Sequence, residues 1–319
     1  MYNYSMKRLA FLLLSLCLIS TGTVFAQKKS TELNVATTKG SISGTLLPAG
    51  RNQTVAIIIA GSGPTDREGN NPLGVKANSY KLVAEGLAKQ GIASLRYDKR
   101  GVGKSSSSGM KEADLRFDDY ISDVKSWINY LIDSVKYKKV VLIGHSEGAL
   151  LASIAGQNDR VTGVVLVSGM GRSFDEVIAE QISKNAPLAI QQESQAIMDS
   201  LKAGKLVSDV PSYFNTLYRP SVQPYLISLL NYAPLAQASM LQKPVLILQG
   251  DADSQIQVKD AEALAGAVNQ AKLLIIPKMD HVLKEVVDPQ KPLANYTNAD
   301  GPLASGFLNA LTDFIKNLK

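Results

Sequence analysis

The chain of 319 residues is 45% hydrophobic and 19% charged, with 34 Lys and Arg against 28 Asp and Glu. That much apolar side chain excludes a disordered chain, and the length fits either two units or one large α/β domain. A single cysteine excludes a disulfide framework and a Cys-rich zinc site, and two histidines restrict any imidazole chemistry to His145 and His281.

In chain order, Lys7 and Arg8 precede an apolar run from Leu9 to Ile19, and Val24-Phe25-Ala26 follows. A basic start, a short apolar stretch and small residues before a cut are the marks of a secretory signal peptide over residues 1–26. The run has 11 residues, against the ~20 a spanning helix needs, so no stable membrane anchor is expected. Removing 26 residues leaves 293, with 32 basic and 28 acidic side chains and no cysteine. The reading is an exported protein, periplasmic or secreted after cleavage near Ala26, with no free thiol in an oxidising compartment. So small and scattered a basic excess predicts no nucleic-acid partner.

Residues 32–47 alternate about Lys39-Gly40 and predict an antiparallel hairpin at a sheet edge. The runs Val55–Ala60, Ile92–Leu95, Val140–Ile143, Val161–Val167, Val245–Leu248 and Leu273–Ile276 are short, apolar and rich in β-branched residues. Such runs predict strands buried on both faces, as in a parallel sheet. Phe117, Ile121, Val124, Ile128 and Leu131 share one helical stripe, and so do Phe307, Leu311, Phe314 and Ile315. Strands alternating with helices predict an α/β fold, a mostly parallel sheet flanked by helices. Residues 172–240 lack a clear strand, and so long a structureless loop is unexpected in a compact domain. They are read as a helical cap insertion within a single domain spanning 27–319. Tyr213, Tyr218, Tyr225 and Tyr232 in this insertion either pack it on the sheet or recognise a substrate.

The strand Val140–Ile143 runs into Gly144-His145-Ser146-Glu147-Gly148 and then the helical Ala149–Ile154. A G-x-S-x-G at a strand-to-helix turn holds a serine in a strained conformation, with its hydroxyl in the crevice beyond the strand. Serine needs a base. His145 is its chain neighbour on a tight turn, where adjacent side chains point apart. His281, in the loop after Leu273–Ile276, opens toward the same sheet edge and is the base by position and elimination. An acid must orient the imidazole. Asp251 and Asp253 both follow the strand Val245–Leu248, Asp280 sits too close in sequence to reach the ring, and Asp175 is a remote alternative. An oxyanion needs backbone donors. Glu147 N–H is one. The other belongs to the loop Gly61-Ser62-Gly63-Pro64-Thr65-Asp66, with Ser62 preferred and Gly61 the alternative. The Glu147 side chain reads as a helix N-terminal acid favoured by the dipole, or as a partner for a substrate ammonium.

Gly101-Val102-Gly103-Lys104-Ser105 imitates the end of a phosphate-binding loop. Asp98 stands where that loop requires a glycine, so the nucleotide reading fails. Asp98 and Arg100 are expected to hold this segment by a charge-assisted hydrogen bond.

These residues, taken in order, resemble the α/β-hydrolase superfamily, and within it bacterial exported esterases related to serine aminopeptidases. Five segments carry the likeness: Gly61–Asn70, Tyr97–Ser105, Gly144–Gly148, Leu248–Ile256 and Asp280-His281. The likeness spans about residues 32–318, and Ser…Asp…His is the superfamily's chain order. The resemblance implies the α/β-hydrolase fold and selects Asp253 over Asp251 as the acid. It implies that the cap shapes the acyl or leaving-group pocket. The expected function is a serine hydrolase cleaving small-molecule carboxylic esters through Ser146, His281 and Asp253, with no metal or cofactor. The alternatives are an aminopeptidase or amidase with the same triad, and a non-catalytic binding protein on this fold.

Overall fold

The computed structural model describes residues 29–50, 53–105, 110–184 and 186–319. The signal peptide expected over 1–26 lies outside the described residues.

Eight strands form one sheet. They are β1 (Thr31–Thr37), β2 (Gly40–Leu47), β3 (Thr54–Ile59), β4 (Ala93–Tyr97), β5 (Lys139–His145), β6 (Val161–Val167), β7 (Val245–Gly250) and β8 (Lys272–Ile276). Their spatial order is β1-β2-β4-β3-β5-β6-β7-β8. The predicted hairpin is present as β1 and β2, and β2 meets β4 antiparallel. Every pairing beyond that is parallel. The six predicted β-branched runs all form strands, within two residues at each end.

Helices α1 (Ser79–Lys89), α2 (Phe117–Asp133) and α3 (Glu147–Ala155) connect successive strands. Helices α4 (Phe174–Ser183), α5 (Leu188–Lys202), α6 (Asn215–Tyr218), α7 (Gln223–Leu230) and α8 (Pro234–Ser239) lie between β6 and β7. Helices α9 (Val258–Ala267) and α10 (Phe307–Lys316) complete the chain.

The period-2 geometry of a strand sends alternate residues to opposite faces. Val55, Ile57 and Ile59 of β3 pack in one core with Val124, Trp127 and Ile128 of α2. Ala56 and Ile58 pack in the other with Val83 and Leu87 of α1 and Phe307 and Leu311 of α10. With both faces covered, all six residues of β3 are buried, which is why the run carries no polar alternation. The outer strands differ. In β1 only Val35 is buried, and in β8 only Ile276. At β8, an exposed Lys272 on the free edge disfavours pairing with another chain.

Local chemistry fixes the first cap helix. Ser173 Oγ and the Ser173 N–H both bond the Glu176 carboxylate at the start of α4, a reciprocal cap for amides that would otherwise lack partners. Of the four tyrosines between β6 and β7, Tyr225 meets the rings of Phe117 and Tyr120, and Tyr232 meets Phe117. Tyr218 is fully buried and Tyr213 is exposed. Tyr218, Tyr225 and Tyr232 thus serve packing, and none of the four lines the cleft described below.

Candidate active site

Strand β5 ends at His145 and α3 begins at Glu147, so Ser146 makes the whole turn alone. Its backbone sits at φ 56 and ψ −122, a region that costs about 1–3 kcal/mol for a residue with a side chain. The Ser146 N–H donates to Val167 O at 2.9 Å and ties the turn to β6. The two glycines are spatial requirements. A Cβ at Gly144 would fall 2.7 Å from Ala149 Cα, and one at Gly148 would fall 2.7 Å from Ala60 O. Gly61 abuts the serine itself, since a Cβ there would lie 3.0 Å from Ser146 Cβ.

His281 is carried on the loop after β8. Its Nδ1–H donates to Asp253 Oδ2 at 2.8 Å, leaving Nε2 as the acceptor of the neutral ring. Asp253 Oδ1 accepts the N–H groups of Gln255 and Ile256 at 2.8 and 3.0 Å. Burial pushes the Asp253 carboxyl up. The charge and hydrogen bond of His281, with those two N–H groups, outweigh burial and hold it down at about 2. Asp253 is therefore an anion beside the imidazole near neutral pH. Asp251 instead accepts the Lys278 N–H, and Asp280 accepts from Lys284 N and Asn295 Nδ2. Asp175 pairs with Lys202. Of the four acids considered from sequence, only Asp253 hydrogen-bonds the His281 ring.

The second histidine holds a different post. The His281 carbonyl can only accept, so His145 Nε2 donates to it, at 2.8 Å. His145 Nδ1 then accepts from Tyr80 Oη at 2.8 Å, and Tyr80 Oη accepts the Gly61 N–H at 3.1 Å. Burial and the neighbouring His281 push His145 down to about 3, consistent with a ring that stays neutral in this chain of bonds. His145 thus joins the loop after β3 to the loop carrying His281. Because Gly61 N–H is engaged by Tyr80, Ser62 remains of the two oxyanion-donor candidates in that loop.

Glu147 is buried, and its carboxylate accepts from Ser62 Oγ at 3.0 Å and lies 3.7 Å from Lys99 Nζ. Lys99, also buried, donates to Gly61 O at 2.6 Å. Burial holds the Lys99 ammonium below its ordinary range, and the neighbouring Glu147 offsets only part of that shift. Tyr80 and Lys99 are absent from the sequence-based site. Lys99 lies in the Tyr97–Ser105 segment, where nothing in the local pattern points to its partner.

Asp98 does hold this segment, its Oδ2 accepting the Lys104 N–H at 2.9 Å, but it does not bond Arg100. Asp98 takes both its oxygens to Arg67, at 2.9 and 2.8 Å, and Arg100 pairs with Asp123. Buried charges need partners in good geometry, and these come from other elements. Lys104 reaches Glu32, and Ser105 Oγ bonds Asp98 O within the same loop.

Gly61, Ser62, Ser146 and His281 open onto one cleft of about 220 Å³. Its apolar lining includes Met170, Phe174, Val177, Ile178 and Leu217, while Asn71, Gln181, Gln255 and Tyr296 add polar, uncharged groups. No Asp, Glu, Lys or Arg lines it among the described residues. Also among the described residues, no group of three or more His, Cys, Asp or Glu is arranged to hold a metal ion.

A strand-turn-helix serine at the C-terminal edge of such a sheet defines an α/β-hydrolase. Residues 73–285 match the family described as serine aminopeptidase, S33, and the chain belongs to that family. It is 26% identical over 271 residues to the esterase EstD of Thermotoga maritima. That match covers 81% of this chain but 62% of EstD, so the chain spans less than two thirds of that relative. Two solved structures share the fold. An esterase of Pyrococcus furiosus superposes with a TM-score of 0.59 at 16% identity, over 91% of each chain. Est1E of Butyrivibrio proteoclasticus, solved with ferulic acid bound, gives 0.59 at 17% identity, over 89% of this chain and 96% of its own.

Proposed function

We propose that this chain is an exported serine hydrolase that cleaves uncharged carboxylic esters by acyl transfer. Ser146 Oγ attacks the ester carbonyl as His281 Nε2 takes its proton. The oxyanion so formed is held by the N–H groups of Ser62 and Glu147. His281 returns the proton to the leaving alkoxide, and the acyl group stays on Ser146. Water, deprotonated by His281, then attacks the acyl-enzyme, and His281 returns that proton to Ser146 Oγ as the acid leaves. Asp253 orients His281 and offsets the charge of its imidazolium. The segment 172–240 supplies apolar lining through α4 and acts as the cap over the acyl group.

The observation that carries the ester reading is the uncharged lining of the cleft. The family description favours a second reading, an aminopeptidase, which needs an anion for the substrate's ammonium. Glu147 is the acid nearest the serine in sequence, and its carboxylate is engaged by Ser62 and Lys99. A buried, paired carboxylate is poorly suited to capture a ligand cation. The cleft also favours apolar acyl groups, since each methylene buried there adds about 0.8 kcal/mol.

The test is a panel of p-nitrophenyl esters and aminoacyl p-nitroanilides on purified protein. The expected result is kcat/KM for the best ester at least ~100-fold above the best anilide, a difference of about 2.7 kcal/mol in transition-state binding. Comparable values would transfer the assignment to the aminopeptidase.

A further inference from the structure

The buried ammonium of Lys99 lies on the far side of the peptide that forms half of the oxyanion site. Gly61 C=O and Ser62 N–H are the two ends of one planar amide. Lys99 Nζ donates to the carbonyl end at 2.6 Å. We propose that Lys99 is a positioning residue for ester hydrolysis, holding and polarising the Gly61–Ser62 peptide so that Ser62 N–H donates more strongly to the oxyanion. The proposal rests on the serine-hydrolase reading above.

Three observations give it a mechanism. First, a cation on an amide oxygen draws density from the nitrogen and strengthens the N–H as a donor. Linked hydrogen bonds reinforce one another in this way, by about 10–30% each. Second, the peptide is held at its carbonyl and the residues on both sides of it are held too. Tyr80 Oη holds Gly61 N–H, Lys99 holds Gly61 O, and Glu147 holds Ser62 Oγ. A donor that cannot rotate needs no reorganisation when charge appears on the substrate oxygen. Third, Lys99 is 1% exposed and sits 5.0 Å from the centre of the Tyr120 ring. Its field is therefore little screened by water. Glu147 joins the two halves of the site, because its own N–H is the other donor while its carboxylate faces Lys99 and Ser62.

The experiment compares wild type, Lys99→Met and the double variant Lys99→Met/Glu147→Gln. Methionine keeps the length and removes the donor and the charge. The double variant also removes the carboxylate that Lys99→Met would leave buried beside no cation. Two readouts are used: kcat and KM for p-nitrophenyl acetate per titrated active site, and the affinity of phenylboronic acid, which adds to the serine as a tetrahedral anion. The expected result in both variants is a kcat lower by roughly 10- to 100-fold with KM within about threefold. Boronate affinity falls by a similar factor, and the double variant regains thermal stability without regaining kcat or boronate affinity. If the double variant recovers kcat and boronate affinity, Lys99 only neutralises Glu147 and the proposal is overturned. Unchanged kcat and affinity in Lys99→Met overturn it too, as does a wild type that binds no boronate. A wild type that binds boronate but cleaves no ester sinks the functional reading alone, and the boronate comparison still decides the role of Lys99.

Discussion

Replacing Ser146 by alanine is expected to lower kcat for p-nitrophenyl ester hydrolysis by about 10⁵- to 10⁶-fold, the loss seen when a serine hydrolase loses its nucleophile. The hydroxyl is the only atom removed. The backbone strain at φ 56 is the same for alanine as for serine, and the Ser146 N–H bond to Val167 O is a backbone bond. The fold should therefore be kept, with a melting temperature within a few degrees of wild type. The residual rate, still above that of water by about 10³, reflects the oxyanion donors and the cleft. Steady-state kinetics and a circular-dichroism melt check both parts. Undiminished turnover in a folded Ser146→Ala protein would mean that the reacting group lies elsewhere.

Asp253→Asn should cost about 10⁴-fold in kcat, and Asp251→Asn less than about tenfold. The difference follows from where each oxygen points. Asp253 Oδ1 already accepts two N–H groups, from Gln255 and Ile256. An asparagine there keeps its carbonyl oxygen on those donors and turns its NH₂ toward His281 Nδ1. That NH₂ forces Nδ1 to accept, so the ring proton moves to Nε2, the nitrogen that must take the serine proton. The variant then holds the wrong tautomer with its geometry nearly intact. Asp251 meets a backbone N–H of the loop carrying His281, and an asparagine oxygen accepts that bond as well. The two single variants, assayed side by side, check the assignment. A larger loss for Asp251→Asn would contradict it.

The parts of the site legible in sequence were those written in local pattern. Gly144, Ser146 and Gly148 sit on one strand-turn-helix unit, and the clash each glycine avoids lies within a few residues of the turn or on the adjoining strand. His281 followed from scarcity, because His145 was the only other imidazole. The eight-stranded sheet followed from runs such as Val161–Val167, whose lack of polar alternation required cover on both faces. Asp253 was separated from Asp251 only by resemblance. Two aspartates two residues apart in a loop carry no periodicity that tells which one turns inward, and the distinction lies in the bonds to Gln255, Ile256 and His281.

The unread parts were the contacts between distant segments. Tyr80 reaches His145 across 65 residues, and Lys99 reaches Gly61 across 38. From sequence, Asp98 and Arg100 are expected to hold their loop by a charge-assisted hydrogen bond. Packing instead gave each a partner on another element, Arg67 for Asp98 and Asp123 for Arg100. The place of His145 in the bond chain from Gly61 to His281 likewise has no local signal.

The role proposed for Ser146, a nucleophile activated by His281, is tested by treating the folded wild-type protein with a fluorophosphonate and mapping the adduct by peptide mass spectrometry. One adduct is expected, on Ser146, formed at a rate that falls by several hundredfold or more in His281→Ala, as follows when the base is lost. No adduct, or an adduct on another residue with Ser146 unmodified, would contradict it.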